Sequence, residues 1–373
     1  MTAGVYIHIP FCRAKCRYCG FYSVPAAWSA YTQGYAAALK KEIMERENIP
    51  RGTDVDSVYI GGGTPSMFPP EELKAILSAA AETFHILPGA EISLEMNPSD
   101  ARLEKLSALA DAGFNRLTLG VQTMDPVLHA TIGRAHELCT QKHLDAFFSF
   151  KGITHCVDLI TGIPGQKIED FERELKTVAS YCPEHISAYL LSIEEGTPLS
   201  FDMKYDEPLE SLQRAVFLDT ERILEEMGYT HYEISNYALP GFESSHNSKY
   251  WTFQPYISFG SGAHSFYGGR RYINNIPLEE YIANPLSALD EDERKVSSAM
   301  AEFIMTALRM TRGFSMRDFA KEFGSMPHRT LERINSEIKS GLIILSETER
   351  VCLSKEGLLY AERVIYNLVQ DLL

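Results

Sequence analysis

Short runs of β-branched and aromatic residues recur along the N-terminal part of the chain, at 5–9, 58–60, 91–95, 116–119, 154–160 and 185–191. Amphipathic stretches separate most of them. Over 71–84 the apolar residues Leu73, Ile76, Leu77, Ala80 and Phe84 recur at helical spacing and mark one face. Strands that alternate with helices pair in parallel through right-handed crossovers. Six such units predict an α/β fold, an incomplete (β/α)6 barrel of TIM type. In such barrels the chemistry collects at the C-terminal ends of the strands. The polar residues obey that rule: a cysteine loop, Gly61-Gly-Gly-Thr64, Glu95, Gln122 and Asp158 each lie at or just past the end of a run.

Beyond Leu199 the pattern changes. A long helix is predicted over 207–227, then a β-like stretch at 232–235 and an irregular segment rich in Gly and aromatics to about Gly269. From Pro277 the order becomes helix (298–310), helix (316–323), helix (329–340), short strands around Ile343 and Val351, and helix (355–369). The chain therefore divides into a partial barrel (1–200), an extension (201–276) and a C-terminal winged-helix-like α domain (277–373). A DNA-reading helix would be basic on one face. Here residues 297–373 hold ten Lys/Arg against ten Asp/Glu, and the third helix mixes Arg329, Arg333 and Lys339 with Glu332 and Glu337. That balance favours a structural or protein-docking role over a transcription regulator.

Net charge is −15, which argues against nucleic acid as a partner, since phosphates call for a basic face. Of 373 residues 45% are hydrophobic and 23% charged, so a folded chain with a sizeable core is expected. The seven cysteines are a triplet plus isolated Cys139, Cys156, Cys182 and Cys352, which is no disulfide framework. With no basic-then-apolar leader and no run of membrane-spanning length, the expectation is a soluble cytoplasmic protein.

The triplet is Cys12, Cys16 and Cys19, in Phe11-Cys-Arg-Ala-Lys-Cys-Arg-Tyr-Cys-Gly-Phe21. Thiols at this spacing fit one tight loop and point at one object. Fe–S clusters are held by Cys thiolates, normally four; three leave one iron open to a small molecule. Zinc is the rival, but it needs a fourth ligand, and no second pair stands at zinc spacing. Three buried core cysteines is the blander alternative. The glycines of Gly61-Gly-Gly-Thr-Pro-Ser66 let backbone approach a ligand, or simply make a turn. Glu95 suits an acceptor for ribose hydroxyls, as acidic residues do in dinucleotide sites, or is a solvated strand-end residue.

The Cys-x3-Cys-x2-Cys loop, with Tyr18 before its last cysteine, resembles the cluster loop of the radical S-adenosylmethionine (radical SAM) superfamily. That resemblance implies a radical SAM barrel and a [4Fe-4S] cluster whose open iron chelates S-adenosylmethionine. One electron from the cluster then cleaves the cofactor to methionine and a 5′-deoxyadenosyl radical. The order of the later motifs, Gly120-Val-Gln122, Gly133-Arg134 and Val157-Asp158, resembles the subgroup of oxygen-independent coproporphyrinogen III oxidase and its relatives. By that likeness Tyr6, Gly62, Glu95, Gln122, Arg134 and Asp158 line the nucleotide pocket, with Tyr18, Gly63 and Thr64 beside them. Whether a second S-adenosylmethionine binds stays open.

Two departures separate the chain from the oxidase. That enzyme has a further Cys two residues past the triplet, where this sequence has Phe21, and an extension before its cluster loop, where here Cys12 is the first cysteine. Both features resemble the HemW-type haem chaperones, as do His246-Asn-Ser-Lys-Tyr-Trp251 and Gly260-Ser-Gly-Ala-His264. Imidazole and phenolate are haem-iron ligands, and Tyr250 and Trp251 could stack on a porphyrin. His246 is the first candidate ligand and His264 the second; the alternative is a core histidine among packing aromatics. The resemblance implies haem and haem-acceptor proteins as partners, with transient contact to membrane-bound haem enzymes. The competing reading is the oxidative decarboxylase itself. Oligomeric state and the occurrence of catalysis stay open.

Overall fold

The structure, a computed structural model, describes residues 2–25, 28–47, 49–202, 208–287, 289–292 and 296–373. Six strands run parallel in chain order: β1 (Ala3–Ile9), β2 (Asp54–Gly62), β3 (His85–Met96), β4 (Arg116–Gln122), β5 (Thr154–Thr161) and β6 (His185–Leu190). Helices Trp28–Glu45, Pro70–Thr83, Leu103–Ala112, Gln141–Ser149, Ile168–Ala179 and Pro208–Glu226 follow them in turn. The incomplete (β/α)6 barrel expected from the alternation is present. The 207–227 helix starts at Pro208; Glu207 lies outside the described residues.

Side chains on a strand alternate between its faces, and here the alternation divides two chemistries. Val5, Ile7, Val58, Ile60, Leu94, Leu117, Leu119, Val157, Leu159 and Ile186 are buried in the main core beneath the helices. The intervening positions, Tyr6, Tyr59, Glu95, Thr118, Asp158 and Ser187, are polar and face the barrel interior. An apolar outside and a polar inside make this barrel a container rather than a packed plug.

Four further strands extend the sheet beyond β1, and two beyond β6. β7 (Thr230–Glu233) and β8 (Asn236–Ala238) form the β6 edge, with β8 antiparallel to β6. β9 (Tyr256–Phe259) pairs parallel with β1, and β10 (His264–Tyr267), β11 (Arg270–Ile273) and β12 (Asp290–Asp292) follow antiparallel. The 201–276 segment is thus part of the same sheet. The boundary expected at 277 also moves: helix Leu278–Ala283 packs on helix Trp28–Glu45, with Tyr281 donating to Glu42 Oε2 at 2.7 Å. With β12 in the main sheet, residues 278–292 lie with the barrel.

A second core gathers Ala301, Ile304, Phe314, Phe319, Ile334, Val351, Val364 and Leu368 around a three-stranded sheet of winged-helix type. It meets the β7 edge through Ile234 N to Arg309 O (3.0 Å) and Thr311 N to Tyr232 O (3.1 Å). The predicted 355–369 helix is broken at Tyr360 into Lys355–Leu359 and Ala361–Val369. Gly357 is pressed against Leu342 O, where a Cβ would stand 2.0 Å away, which pins the first turn to the wing. In helix His328–Lys339, Arg333 is held by Asp371 (2.9 Å) and Asn367 (2.7 Å). No helix among the described residues is long and apolar enough to cross a membrane.

Candidate cofactor site at the barrel mouth

The cysteine loop leaves β1 at Ile9 and returns at Val24, whose N–H donates to Pro10 O at 2.7 Å. A short parallel pair, Phe11–Cys12 with Val24–Pro25, closes its base. Within it Cys19 N donates to Cys16 O at 3.2 Å, and Ala135 N donates to Cys16 Sγ at 3.4 Å. Cys12 and Cys16 are buried and Cys19 is half-buried. Burial pushes the Cys12 thiol up to about 11 despite its contact with Thr64, and the neighbouring Cys16, Cys19 and Glu95 add to the rise. Burial also raises Cys19. Among the described residues no three His, Cys, Asp or Glu side chains converge on a single-ion position. The thiols surround a space instead.

That space is a cavity of about 650 Å³ at the C-terminal ends of the strands. It brings together Cys12, Cys16, Cys19, Tyr18, Gly62, Gly63, Thr64, Glu95, Gln122, Arg134 and Asp158. The glycines are needed for a reason the sequence did not disclose. A Cβ on Gly63 would stand 2.4 Å from Phe11 O, and one on Gly62, at φ +117°, 2.6 Å from the His8 ring. They let the end of β2 lie directly on the start of the cysteine loop, with Gly63 N donating to Ile9 O and Thr64 N to Phe11 O, both at 2.8 Å.

Glu95 accepts from Tyr59 Oη (2.7 Å) and Gly62 N (3.3 Å). Burial raises its pKa to about 7, Asp158 adds to the rise, and the two donors oppose it. Asp158 is pushed up to about 6 by burial, against the pull of the Ser187 hydroxyl and Arg134. Gln122 ends β4 at φ +65°, a left-handed conformation that turns the chain at the cavity wall.

Arg134 ties the site together. It donates to Tyr18 Oη (2.9 Å), Asn97 Oδ1 (2.7 Å) and Gly120 O (2.7 Å). Asn97 Nδ2 donates to Thr64 Oγ1 (3.0 Å), and Thr64 Oγ1 stands 3.6 Å from Cys12 Sγ. A polar circuit thus leaves the cysteine loop at Tyr18 and rejoins it at Cys12. Asn97 and the cavity residue His136 escaped the sequence reading. Asn97 had a signal, for it stands two residues past Glu95, just beyond the end of β3.

Two expected site residues lie elsewhere. Tyr6 is below the cavity, bonded to His8 Nδ1 (3.0 Å) and stacked 6.2 Å from Tyr59. It supports the ring that holds Glu95. His246 is fully buried at the opposite, N-terminal end of the barrel. Its Nδ1 pairs with Ser57 Oγ (3.1 Å) and its Nε2 with Tyr250 Oη (2.9 Å). Tyr59 stacks on it at 5.4 Å, and burial drives its pKa down to about 3. Both ring nitrogens are engaged, so the expected haem ligand is a core histidine here. Helix Ser245–Trp251 is capped by Ser244 and by the Glu91 carboxylate, which accepts from Ser245 N (2.9 Å) and His246 N (3.1 Å). The motif closes the barrel floor.

Comparison with known proteins agrees with this geometry. The radical SAM superfamily model matches residues 6–178, and the HemN C-terminal domain model matches 297–360. The coproporphyrinogen III oxidase HemN of Escherichia coli, described as a radical SAM enzyme, superposes with a TM-score of 0.84 at 21% identity, covering 99% of this chain and 90% of its own. The fold is therefore that of a radical SAM protein. Over most of their length curated relatives narrow it further. The haem chaperone HemW of Bacillus subtilis is 32% identical, covering 97% of each chain, and that of Lactococcus lactis is 29% identical over 99% of this chain and 97% of its own. The chain belongs to the HemW family of haem chaperones and has a haem-related radical SAM function.

Proposed function

We propose that this protein carries haem to acceptor proteins and holds a [4Fe-4S] cluster and S-adenosylmethionine at its barrel mouth. The observation that carries the cofactor reading is the meeting of three thiols, the glycine turn and two carboxylates on one cavity of about 650 Å³. The haem reading rests on the relatives named haem chaperone.

Cys12, Cys16 and Cys19 would hold the cluster through three thiolates, which would leave one iron open to S-adenosylmethionine. When bound, the pair supplies one-electron chemistry. The chain's own contribution is placement. Gly62, Gly63 and Thr64 present backbone to the cofactor, Glu95 accepts from ribose hydroxyls, and Gln122, Arg134 and Asp158 complete the wall. The Nε of Arg134 is buried without a partner among the described residues, a donor a bound ligand would satisfy. Tyr6 positions Tyr59 and, through it, Glu95. Because iron binds thiolate, loading the loop releases the proton that burial holds on Cys12. Gaining the cluster is thus coupled to deprotonation.

The reading is tested by loading the reconstituted protein with haem and mixing it with an apo-haem protein. Haem is expected to move unchanged, visible as growth of the acceptor's Soret band. Multiple-turnover release of CO2 from coproporphyrinogen III would overturn the carrier reading in favour of the oxidative decarboxylase. For the nucleotide site, Glu95→Ala should weaken S-adenosylmethionine binding by about 1–3 kcal/mol, the worth of hydrogen bonds to a charged acceptor. Unchanged affinity would remove Glu95 from the site.

A further inference from the structure

We propose that haem docks at the rim of the cysteine loop, against Phe21 and Tyr22, with His264 as its axial ligand. This rests on the haem-carrier reading above and gives it a location. Of the eleven histidines in the chain, each described ring except His136 and His264 is hydrogen-bonded or ion-paired. His136 lies within the cofactor cavity, beside Arg134. His264 is exposed at the start of β10, and its nitrogens are free to reach a metal from solvent. Partial burial and then Arg271 lower its pKa.

The turn that carries His264 is built against the cysteine loop. A Cβ on Gly262, at φ +82°, would stand 2.8 Å from the Tyr22 ring, and one on Gly260, at φ +102°, 2.6 Å from His8 O. Ser261 Oγ donates to Ile276 O at 2.5 Å and stands 3.4 Å from Tyr22 Oη. Beneath the turn the buried carboxylate of Glu42 accepts from Gly260 N (2.8 Å), Asn274 Nδ2 (3.1 Å) and Tyr281 Oη (2.7 Å). Asn274 N in turn donates to Ala263 O at 2.9 Å. His264 therefore projects from a fixed support, as a preorganised ligand should.

Beside that support two large aromatics are left in water. Phe21 is 70% exposed and Tyr22 42% exposed. Phe21 also lines the mouth of the cavity, together with the exposed Lys15. Neither Lys15 nor Arg13, both exposed on the loop, has an acidic partner among the described residues, in a chain of net charge −15. A free imidazole, flat apolar rings and uncommitted cations are what an iron porphyrin with two propionates requires.

The test is anaerobic titration of the cluster-reconstituted full chain with haemin, following the Soret band and the iron spin state. Wild type should show a histidine-ligated spectrum. His264→Ala should lose that spectrum and bind at least tenfold more weakly, and His264→Tyr should show a phenolate-to-iron band. Phe21→Ala should weaken binding by a smaller factor. All three variants should keep the cluster absorbance, because none lies among the cysteines. A wild-type spectrum and affinity in His264→Ala would overturn the proposed site while leaving the carrier reading intact. Failure of wild type to bind haemin would remove the reading on which the site rests.

Discussion

The two ends of the barrel use the same residue types for opposite purposes. At the C-terminal mouth, Cys12, Glu95, Arg134 and Asp158 surround open space, and burial raises both carboxylates, Glu95 to about 7 and Asp158 to about 6. At the N-terminal end, His246, Ser57, Tyr250, Lys249 and Asp56 are spent on one another, with Lys249 Nζ 2.8 Å from Asp56 Oδ1. A histidine and a tyrosine side by side do not make a metal site; unsatisfied capacity facing a cavity does. The difference between the ends is satisfaction, not composition.

Breaking the mouth should have the largest effect. Cys16→Ala is expected to abolish the iron–sulfur absorbance of reconstituted protein, while alanine at Cys139, Cys156, Cys182 or Cys352 should spare it. Loss of the cluster in any of those four would show that the ligand set is misassigned. Breaking the floor should cost stability instead. His246→Ala removes a buried ring and leaves the Ser57 and Tyr250 hydroxyls unpaired, which should lower the unfolding free energy by about 2–4 kcal/mol in a urea titration. An unchanged midpoint would contradict the packing role.

A pH titration sharpens the contrast. Glu95 has a folded pKa of about 7, above its ordinary 4.5. A raised carboxyl contributes stability that is complete below pH 4.5 and is lost as pH climbs through 7. Without ligands, wild type should therefore weaken over that window by on the order of 2–3 kcal/mol relative to Glu95→Gln. Parallel curves for the two proteins would mean that Glu95 is not the desolvated acid described. Gly63→Ala forces a methyl towards Phe11 O; a loss of about 1–3 kcal/mol is expected, with poorer cluster retention. Full retention would show the contact to be compliant.

Much of this was legible in the chain. The alternation of strands with amphipathic helices gave the barrel, and the placement of polar residues at strand ends gave the mouth, because both are local patterns. What escaped depends on distant partners. Gly62 and Gly63 suggested a ligand cradle, yet their neighbours are His8 and Phe11, which only the β1–β2 register brings close. His246 suggested a ligand because nothing in its own segment shows that Ser57 and Tyr59 lie against it. Residues 278–292 were assigned to the C-terminal unit since their anchors, Glu42 and β11, lie outside that stretch.

The most direct test of the contrast between the ends is S-adenosylmethionine affinity, measured side by side in cluster-loaded wild type, Glu95→Gln and His246→Gln at a temperature where all three are folded. The expected result is a loss of roughly tenfold or more for Glu95→Gln, of order 1–2 kcal/mol, and wild-type affinity for His246→Gln. Weakened binding in His246→Gln with wild-type binding in Glu95→Gln would place the cofactor at the wrong end of the barrel and contradict the account.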